Sequence, residues 1–392
     1  MSDTESPAAP QPVLGAIVLF SAALVALGLA NSRFGTLYNK FWHAAYSLPG
    51  GLVVTGQEVV DKGLMALFFL AVGLELKREL VHGALRHPKA MALPLIAALG
   101  GMVTPAFVYY SLNSADPGLR GWAIPMSTDI AFAIGALAIL GRRVPRNLML
   151  FLLALAVVDD LGAILVIAFY YTRTLSTGPL LISFGILISL ILLNRRQVQS
   201  LFPYLGMGTL LWLALGYAGI SAPLAGVLVA AAIPASAPAS SSPVTSARRL
   251  EQWLASPVTF GVMPLFAFAN AGLVFSGQAI GAQRTIAAGI FFGLLLGKFF
   301  GIAGAAWLAL RWRLAHLPSG VSYRHILGVA WLGGIGFTMA LFLDTLAFGP
   351  GAERMAGKLG ILIASPLSAA IGTAWLYWCP PKTASAARPP TL

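Results

Sequence analysis

The sequence has 392 residues, of which 58% are hydrophobic and only 10% charged, with a formal net charge of +12. A soluble domain carries about 25% charged residues, so these few polar groups cannot clothe a water-facing surface, and a mean hydropathy of +0.82 directs the apolar excess to lipid. The single cysteine, Cys379, excludes a disulfide framework and a cysteine-built metal site.

In chain order, the first 12 residues are polar and acidic and lack the basic start of a signal peptide, so the first apolar segment is expected to stay in the protein as a helix. A span needs about 20 mostly apolar residues. Spans are expected near 13–30, 59–76, 91–112, 122–140, 147–170, 178–193, 201–217, 220–234, 257–275, 285–310, 325–348 and 359–378. The fold class is therefore all-α and polytopic, with about twelve transmembrane helices in one membrane domain over 13–378, flanked by disordered ends at 1–12 and 379–392. The long connection 31–58 carries the turn signal Pro49-Gly50-Gly51 between short β-prone stretches, which predicts a small extracytoplasmic β-hairpin. The Ser/Pro/Ala run at 235–246 reads as a linker joining two halves of the same domain.

Basic residues separate by side. One set of alternate connections, with the C-terminal tail, holds sixteen, including Lys77, Arg78, Arg142, Arg143, Arg195, Arg196, Arg248, Arg249, Arg311 and Arg313, and the other set holds seven. By the positive-inside rule the richer side is cytoplasmic, and an even number of spans puts both termini there. The net charge is thus topology, and nucleic acid is not an expected partner.

Four charges lie where the hydropathy is highest: Asp129, Asp159, Asp160 and Lys298. Each costs about 2.5–3.5 kcal/mol at a helix centre. One buried ion pair would explain two of them; all four together point to an ion or proton pathway. Asp159 and Asp160 are neighbours, so on one helix they face about 100° apart. One can address a cavity while the other meets Lys298, and the sequence leaves open which does which. The run GWAIPMSTDIAFAIG (121–135) places Pro125 before the N-cap types Ser127, Thr128 and Asp129, which predicts a broken segment with a helix restarting near Asp129. In GGIGFTMAL (333–341) three glycines precede Thr338 and suggest a second break. Broken spans in both halves point to a site at the bilayer midplane, where freed backbone groups line a cavity.

Elsewhere, Glu75, Lys77, Arg78 and Glu79 read as a solvated helix end, although Glu75 and Arg78 at i,i+3 can also form a cytoplasmic gate or sensor. Asp344, six residues beyond Thr338, is expected to reach the aqueous edge. The five histidines fall in connections or near span ends and indicate no metal site. Buried paired acids can release protons and take a small hard cation on the same oxygens, and this competition couples two fluxes. An intramembrane aspartyl protease would show a Gly-Asp motif, and none occurs in the sequence. A prenyltransferase would need a third acid after Asp160, where Leu161-Gly162-Ala163 stands. A fixed lysine beside the acids suits alternating access better than a channel.

The runs GLMALFFLAVGLELKREL, GWAIPMSTDIAFAIGALAIL, FLLALAVVDDLGAILVIAFYYT, PLFAFANAGL, GKFFGI and GIGFTMALF resemble the bacterial NhaA-type Na⁺/H⁺ antiporters. The resemblance spans roughly residues 13–378. It implies inverted repeats with two interrupted helices crossing at mid-membrane, a homodimer held by the hairpin, and a multi-pass protein of the bacterial inner membrane. The activity it implies is electrogenic, pH-dependent exchange of Na⁺ or Li⁺ for protons, without catalysis or a cofactor, serving sodium and pH homeostasis. Residue by residue, Asp159 and Asp160 would bind Na⁺ and protons. Asp129, Thr128, Lys298 and Thr338 would support them, with Lys298 pairing Asp159 and Asp129 balancing helix dipoles. Glu75, Arg78, Glu79 and Glu251 would form a pH-responsive funnel. Three departures stand out: Ser221 where the family can have histidine, Asp61-Lys62 where it has an Asn-Asp pair, and the extra acid Asp344.

Overall fold

The computed structural model describes residues 11–47, 53–81, 83, 88–115, 117–172, 175–235, 245–274 and 283–379. The two termini, most of the 235–246 linker, the Pro49-Gly50-Gly51 turn and the basic residues Arg86, Arg173, Lys382 and Arg388 lie outside the described residues.

The chain opens with α1 (Gln11–Ala30) and α2 (Gly35–His43), followed by β1 (Ala45–Ser47) and β2 (Val53–Thr55). These strands pair antiparallel in the register Ala45↔Thr55, Tyr46↔Val54, Ser47↔Val53. This is the hairpin expected from the turn signal. Thr55 closes a capping box with Glu58 and starts α3 (Gly56–Glu58), which runs through a π-helical turn (Val59–Leu64) into α4 (Met65–Val81). Next come α5 (Pro88–Leu112), 3₁₀ turns at Gly118–Gly121 and Ile124–Met126, and α6 (Ile130–Ile139). The first half ends with α7 (Arg146–Phe169), α8 (Thr177–Arg195), α9 (Leu201–Ala218) and the short α10 (Leu224–Ala232). After the linker, α11 (Ser246–Pro257) continues through a π turn (Val258–Val262) into α12 (Met263–Asn270), and α13 (Arg284–Phe292) continues through another (Gly293–Gly297) into α14 (Lys298–Arg311). The chain closes with α15 (Tyr323–Gly333), α16 (Phe337–Ala347) and α17 (Ala352–Trp378).

Among the described residues eight helices are long and apolar enough to cross a membrane, or ten if each of two bent pairs counts as one span. The other two expected spans, 59–76 and 220–234, coincide with α4, of 17 residues, and α10, of nine. At 1.5 Å per residue α10 is far too short to cross alone. Large apolar side chains point outward all around the bundle; Phe169 and Phe202 are 83% and 85% exposed. Lipid in place of water makes that exposure favourable. On the peripheral α8 only Ser183 and Leu190 are buried.

The interior is organised by α5, which packs on α14 and α7, while α4 packs on α10, α1 on α12 and α6, and α17 on α13, α15 and α16. The two breaks meet within this frame. The stretch Gly118–Met126 and α6 are bent by 41°, and α15 and α16 by 43°. Ile124, where the following Pro125 disfavours α-helix, belongs to a 3₁₀ turn, and the extended residues are Ser127 (ψ 150°) and Asp129 (ψ 100°). Pro125 sits early in the turn, where its missing N–H costs nothing. The helix restarts at Ile130 as the N-cap chemistry of Asp129 predicts, its carboxylate accepting from the Phe132 N–H.

Candidate functional site

Where the breaks cross, backbone groups freed from helices find partners on the opposite chain segment. The Asp129 N–H donates to the Ile335 carbonyl at 2.6 Å, and the Thr128 hydroxyl lies 2.8 Å from the Gly333 carbonyl. The Asp129 carboxylate spans two helix starts. Its Oδ1 accepts from Phe132 N–H of α6 at 3.0 Å, and its Oδ2 accepts from Thr338 N–H of α16 at 3.0 Å and from the Thr338 hydroxyl. Two positive helix ends thus face one negative group, which is 1% exposed.

The adjoining cluster joins α7 and α14. Lys298 Nζ donates to Asp159 Oδ2 and, at 2.9 Å, to the Thr128 hydroxyl, which itself lies 2.6 Å from the same Asp159 oxygen. Lys298 and Asp159 are fully buried. An isolated buried charge is costly, so this pairing is what lets both stay in the interior. The choice left open by the sequence is made here: Asp159 faces the lysine and Asp160 faces away. Asp160 is 2% exposed, and one oxygen of each acid, Asp159 Oδ1 and Asp160 Oδ1, has no hydrogen-bond partner among the described residues. Unpaired carboxylate oxygens inside a protein are groups that a proton or a cation can satisfy.

Asp160 and Asp129 line a cavity of about 370 Å³ together with Glu75, Glu251, Phe68 and Met339. The cavity therefore links the crossed breaks to the ends of α4 and α11. There Arg78 pairs with Glu251 at 2.6 Å, Glu79 at 2.9 Å and Glu75 at 3.8 Å, while Arg248 reaches Glu251 at 3.2 Å. The ten residues singled out from the sequence form two groups. Thr128, Asp129, Asp159, Asp160, Lys298 and Thr338 meet at the breaks, and Glu75, Arg78, Glu79 and Glu251 meet at the far end of the same cavity. Among the described residues no three His, Cys, Asp or Glu side chains converge to hold a metal ion.

Two local expectations are corrected. Asp344 does not reach an aqueous edge: it is fully buried and neither carboxylate oxygen has a hydrogen-bond partner among the described residues. It is enclosed because α17 packs on α16 directly over it. Lys77 is not part of a solvated helix end. It donates to the carbonyls of Ala231 at 2.7 Å, Ala230 at 3.3 Å and Ile233, closing the C-terminus of α10. The signal for that role was the shortness of α10, whose final carbonyls need a cation or donor from elsewhere. Sequence reading also missed a polar cluster on the side opposite the cavity. Asn270 donates to Asp61 at 2.7 Å and accepts from Arg354 at 2.9 Å and Gln57 at 3.1 Å.

A family model described as "Na+/H+ antiporter 1" matches residues 9–376. The protein of Vibrio alginolyticus named "Na(+)/H(+) antiporter NhaA" is 44% identical over 381 residues, covering 95% of this chain and 96% of that one. The proteins of the same name from Pseudomonas putida (strain GB-1) and Acidithiobacillus ferrooxidans are 45% and 42% identical, covering 96% and 93% of this chain and 96% and 94% of their own. With a match over nearly its whole length and crossed breaks built around buried acids and a lysine, the chain belongs to the Na⁺/H⁺ antiporter 1 family.

Proposed function

We propose that this protein is a secondary active transporter that exchanges cytoplasmic Na⁺ or Li⁺ for external protons across a bacterial inner membrane, with both termini cytoplasmic and the cavity opening to the cytoplasm. The observation that carries the reading is Asp160, buried and with an unpaired oxygen, facing the cavity beside the Lys298–Asp159 pair. A cation entering between Glu75 and Glu251 meets Asp160 first. It competes with a proton for that carboxylate and with Lys298 for Asp159. If loading one Na⁺ strips one proton from Asp160 and one from Lys298, each cycle moves net charge and responds to the membrane potential. The titrations then belong to the cluster as a whole.

Asp129 and Thr338 keep the half-helix ends neutral while the cation binds. Thr128 turns its hydroxyl hydrogen bond between Asp159 and the Gly333 carbonyl, keeping its proton, as the cation replaces Lys298 at Asp159. The Glu75–Arg78–Glu79–Glu251 cluster serves as a pH-responsive entrance, because protonating any one acid redistributes the bonds of Arg78. The hairpin, whose strand β1 is exposed, serves as the contact of a homodimer.

The test is dissipation of a pH gradient in everted membrane vesicles, comparing wild type with Asp160→Asn between about pH 6.5 and 9. Na⁺ or Li⁺ should collapse the gradient in wild type, and Asp160→Asn should reduce the rate by about a hundredfold or more. A rate that rises with an imposed potential marks net charge movement. Full activity in a well-inserted Asp160→Asn variant refutes the mechanism.

A further inference from the structure

The cavity and its acids occupy one half of the molecule. The opposite half holds a buried carboxylate that the exchange mechanism leaves unused. Asp344 lies six residues beyond Thr338 on α16, about 9 Å further along the helix axis from the crossed breaks. Its side chain is fully buried and both oxygens lack a hydrogen-bond donor among the described residues. Three features enclose it. The backbone of α17 lies against the carboxylate at Gly357, where any Cβ would overlap the Asp344 oxygens. The charges of Arg354 and Lys358, also on α17, act on it electrostatically. Tyr109 of α5 and Tyr171, just beyond α7, lie within its field. Their hydroxyls are engaged elsewhere, donating to the carbonyls of Gly118 and Arg120.

The other elements packed on α16 add little charge. The turn Ile124–Met126 and α12 contain no titratable side chain, and the turn Gly118–Gly121 contributes only the exposed Arg120. Arg354 and Lys358 connect Asp344 to the surface. Arg354 stands 3.7 Å from Asp61, their side chains 13% and 16% exposed, and Lys358 feels Asp61 as well as Asp344. The Asp344 carboxylate is buried without a hydrogen-bond donor among the described residues while Arg354 and Lys358 stand near enough to balance a charge on it, so the site can hold either the acid or the carboxylate. Two cations beside it disfavour Na⁺ there and leave a proton as the ligand.

We propose that Asp344 is a proton-binding carboxylate of the extracytoplasmic half, reached through the Asp61–Arg354–Lys358 cluster, and that it makes exchange depend on extracytoplasmic pH independently of the cytoplasmic entrance. This rests on the exchange reading and on its orientation. The step is a simple protonation: Asp344 takes a proton from the outer medium and releases it toward the crossed breaks.

The experiment uses the full chain purified into oriented liposomes. Na⁺ flux is recorded with the cytoplasmic-side pH fixed and the outer-side pH varied, and then the reverse. Wild-type flux establishes exchange itself, and its absence would refute the functional reading rather than this one. Asp344→Asn is expected to move the outer-side midpoint by about one pH unit to the acid side, leaving the cytoplasmic-side midpoint in place, because proton supply fails first when outer protons are scarce. Lys358 could be left without a counter-charge in Asp344→Asn, so the charge-balanced pair Asp344→Asn with Lys358→Gln is measured alongside. The same acid-ward shift in a stable double variant supports the relay. A double variant with the wild-type outer-side profile overturns the proposal and leaves Asp344 a structural counter-charge.

Discussion

Thr128 has one hydroxyl proton and two acceptors in reach, Asp159 Oδ2 and the Gly333 carbonyl, while it also accepts from Lys298. It can satisfy only one acceptor at a time. The Lys298–Asp159 pair therefore sits in a network with a built-in alternative arrangement, and its energetics are those of a dry ion pair. Removing one member of such a pair leaves the other charged and buried, a cost of about 3–5 kcal/mol, whereas replacing both is close to neutral. Lys298→Gln and Asp159→Asn should each lower the melting temperature of the purified protein markedly. Lys298→Gln combined with Asp159→Asn should recover most of that loss. Exchange should not recover with it, because the double variant lacks the lysine that competes with the cation. Additive destabilisation in the thermal measurements would mean that the two side chains do not hold each other, contrary to the geometry.

The element that presents Lys298 is a helix with a π turn immediately before it, Gly293–Gly297. Such turns recur at functional sites because an extra residue re-aims the side chains after it. Here it also brings α14 against α5: a Cβ at Gly297 would lie 2.6 Å from Pro105 Cα, whereas a Cβ at Gly304, two turns later on the same helix, meets nothing within 4 Å. Gly297→Ala must push α14 away from α5 and take Lys298 with it. It should cost about 1–3 kcal/mol in stability and reduce exchange. Gly304→Ala should be neutral or stabilising by up to about 1 kcal/mol. Equal melting temperatures for the two variants would contradict the packing. The same turn explains what the sequence could not reveal. An inserted residue rotates the side chains beyond it by about 100°, so helical periodicity cannot say whether Lys298 meets Asp159 or Asp160. The break at Asp129 was legible because N-capping is local chemistry, and the hairpin because its turn residues are contiguous. Asp344 escapes a sequence reading for the opposite reason: its burial is produced by Gly357 on another helix, and no local hydropathy pattern contains that contact.

At the scale of the molecule, the basic connections and the cavity share one side, and the hairpin lies on the other. The Arg78 cluster at the cavity's far end lies on the side that carries Arg195, Arg196, Arg248 and Arg249, so under the proposed function the positive-inside rule predicts that Na⁺ is drawn from that side. Two single-cysteine variants in a Cys379→Ser background test both. Tyr46, 51% exposed in β1, lies on the hairpin, and Ser200 is exposed in the basic connection between α8 and α9. A membrane-impermeant maleimide applied to intact cells should label Tyr46→Cys at once and Ser200→Cys only after permeabilisation. Under mild oxidation Tyr46→Cys should also form a disulfide-linked dimer, as hairpins joined edge to edge require, and Ser200→Cys should not. Reversed labelling would invert the molecule and put the cavity outside, so that Na⁺ would enter the site from the extracytoplasmic side. Correct labelling with no cross-link would keep the direction of exchange and remove the hairpin from the dimer contact. The two readouts are independent because orientation depends on charges in the connections, whereas the contact depends on the exposed strand β1.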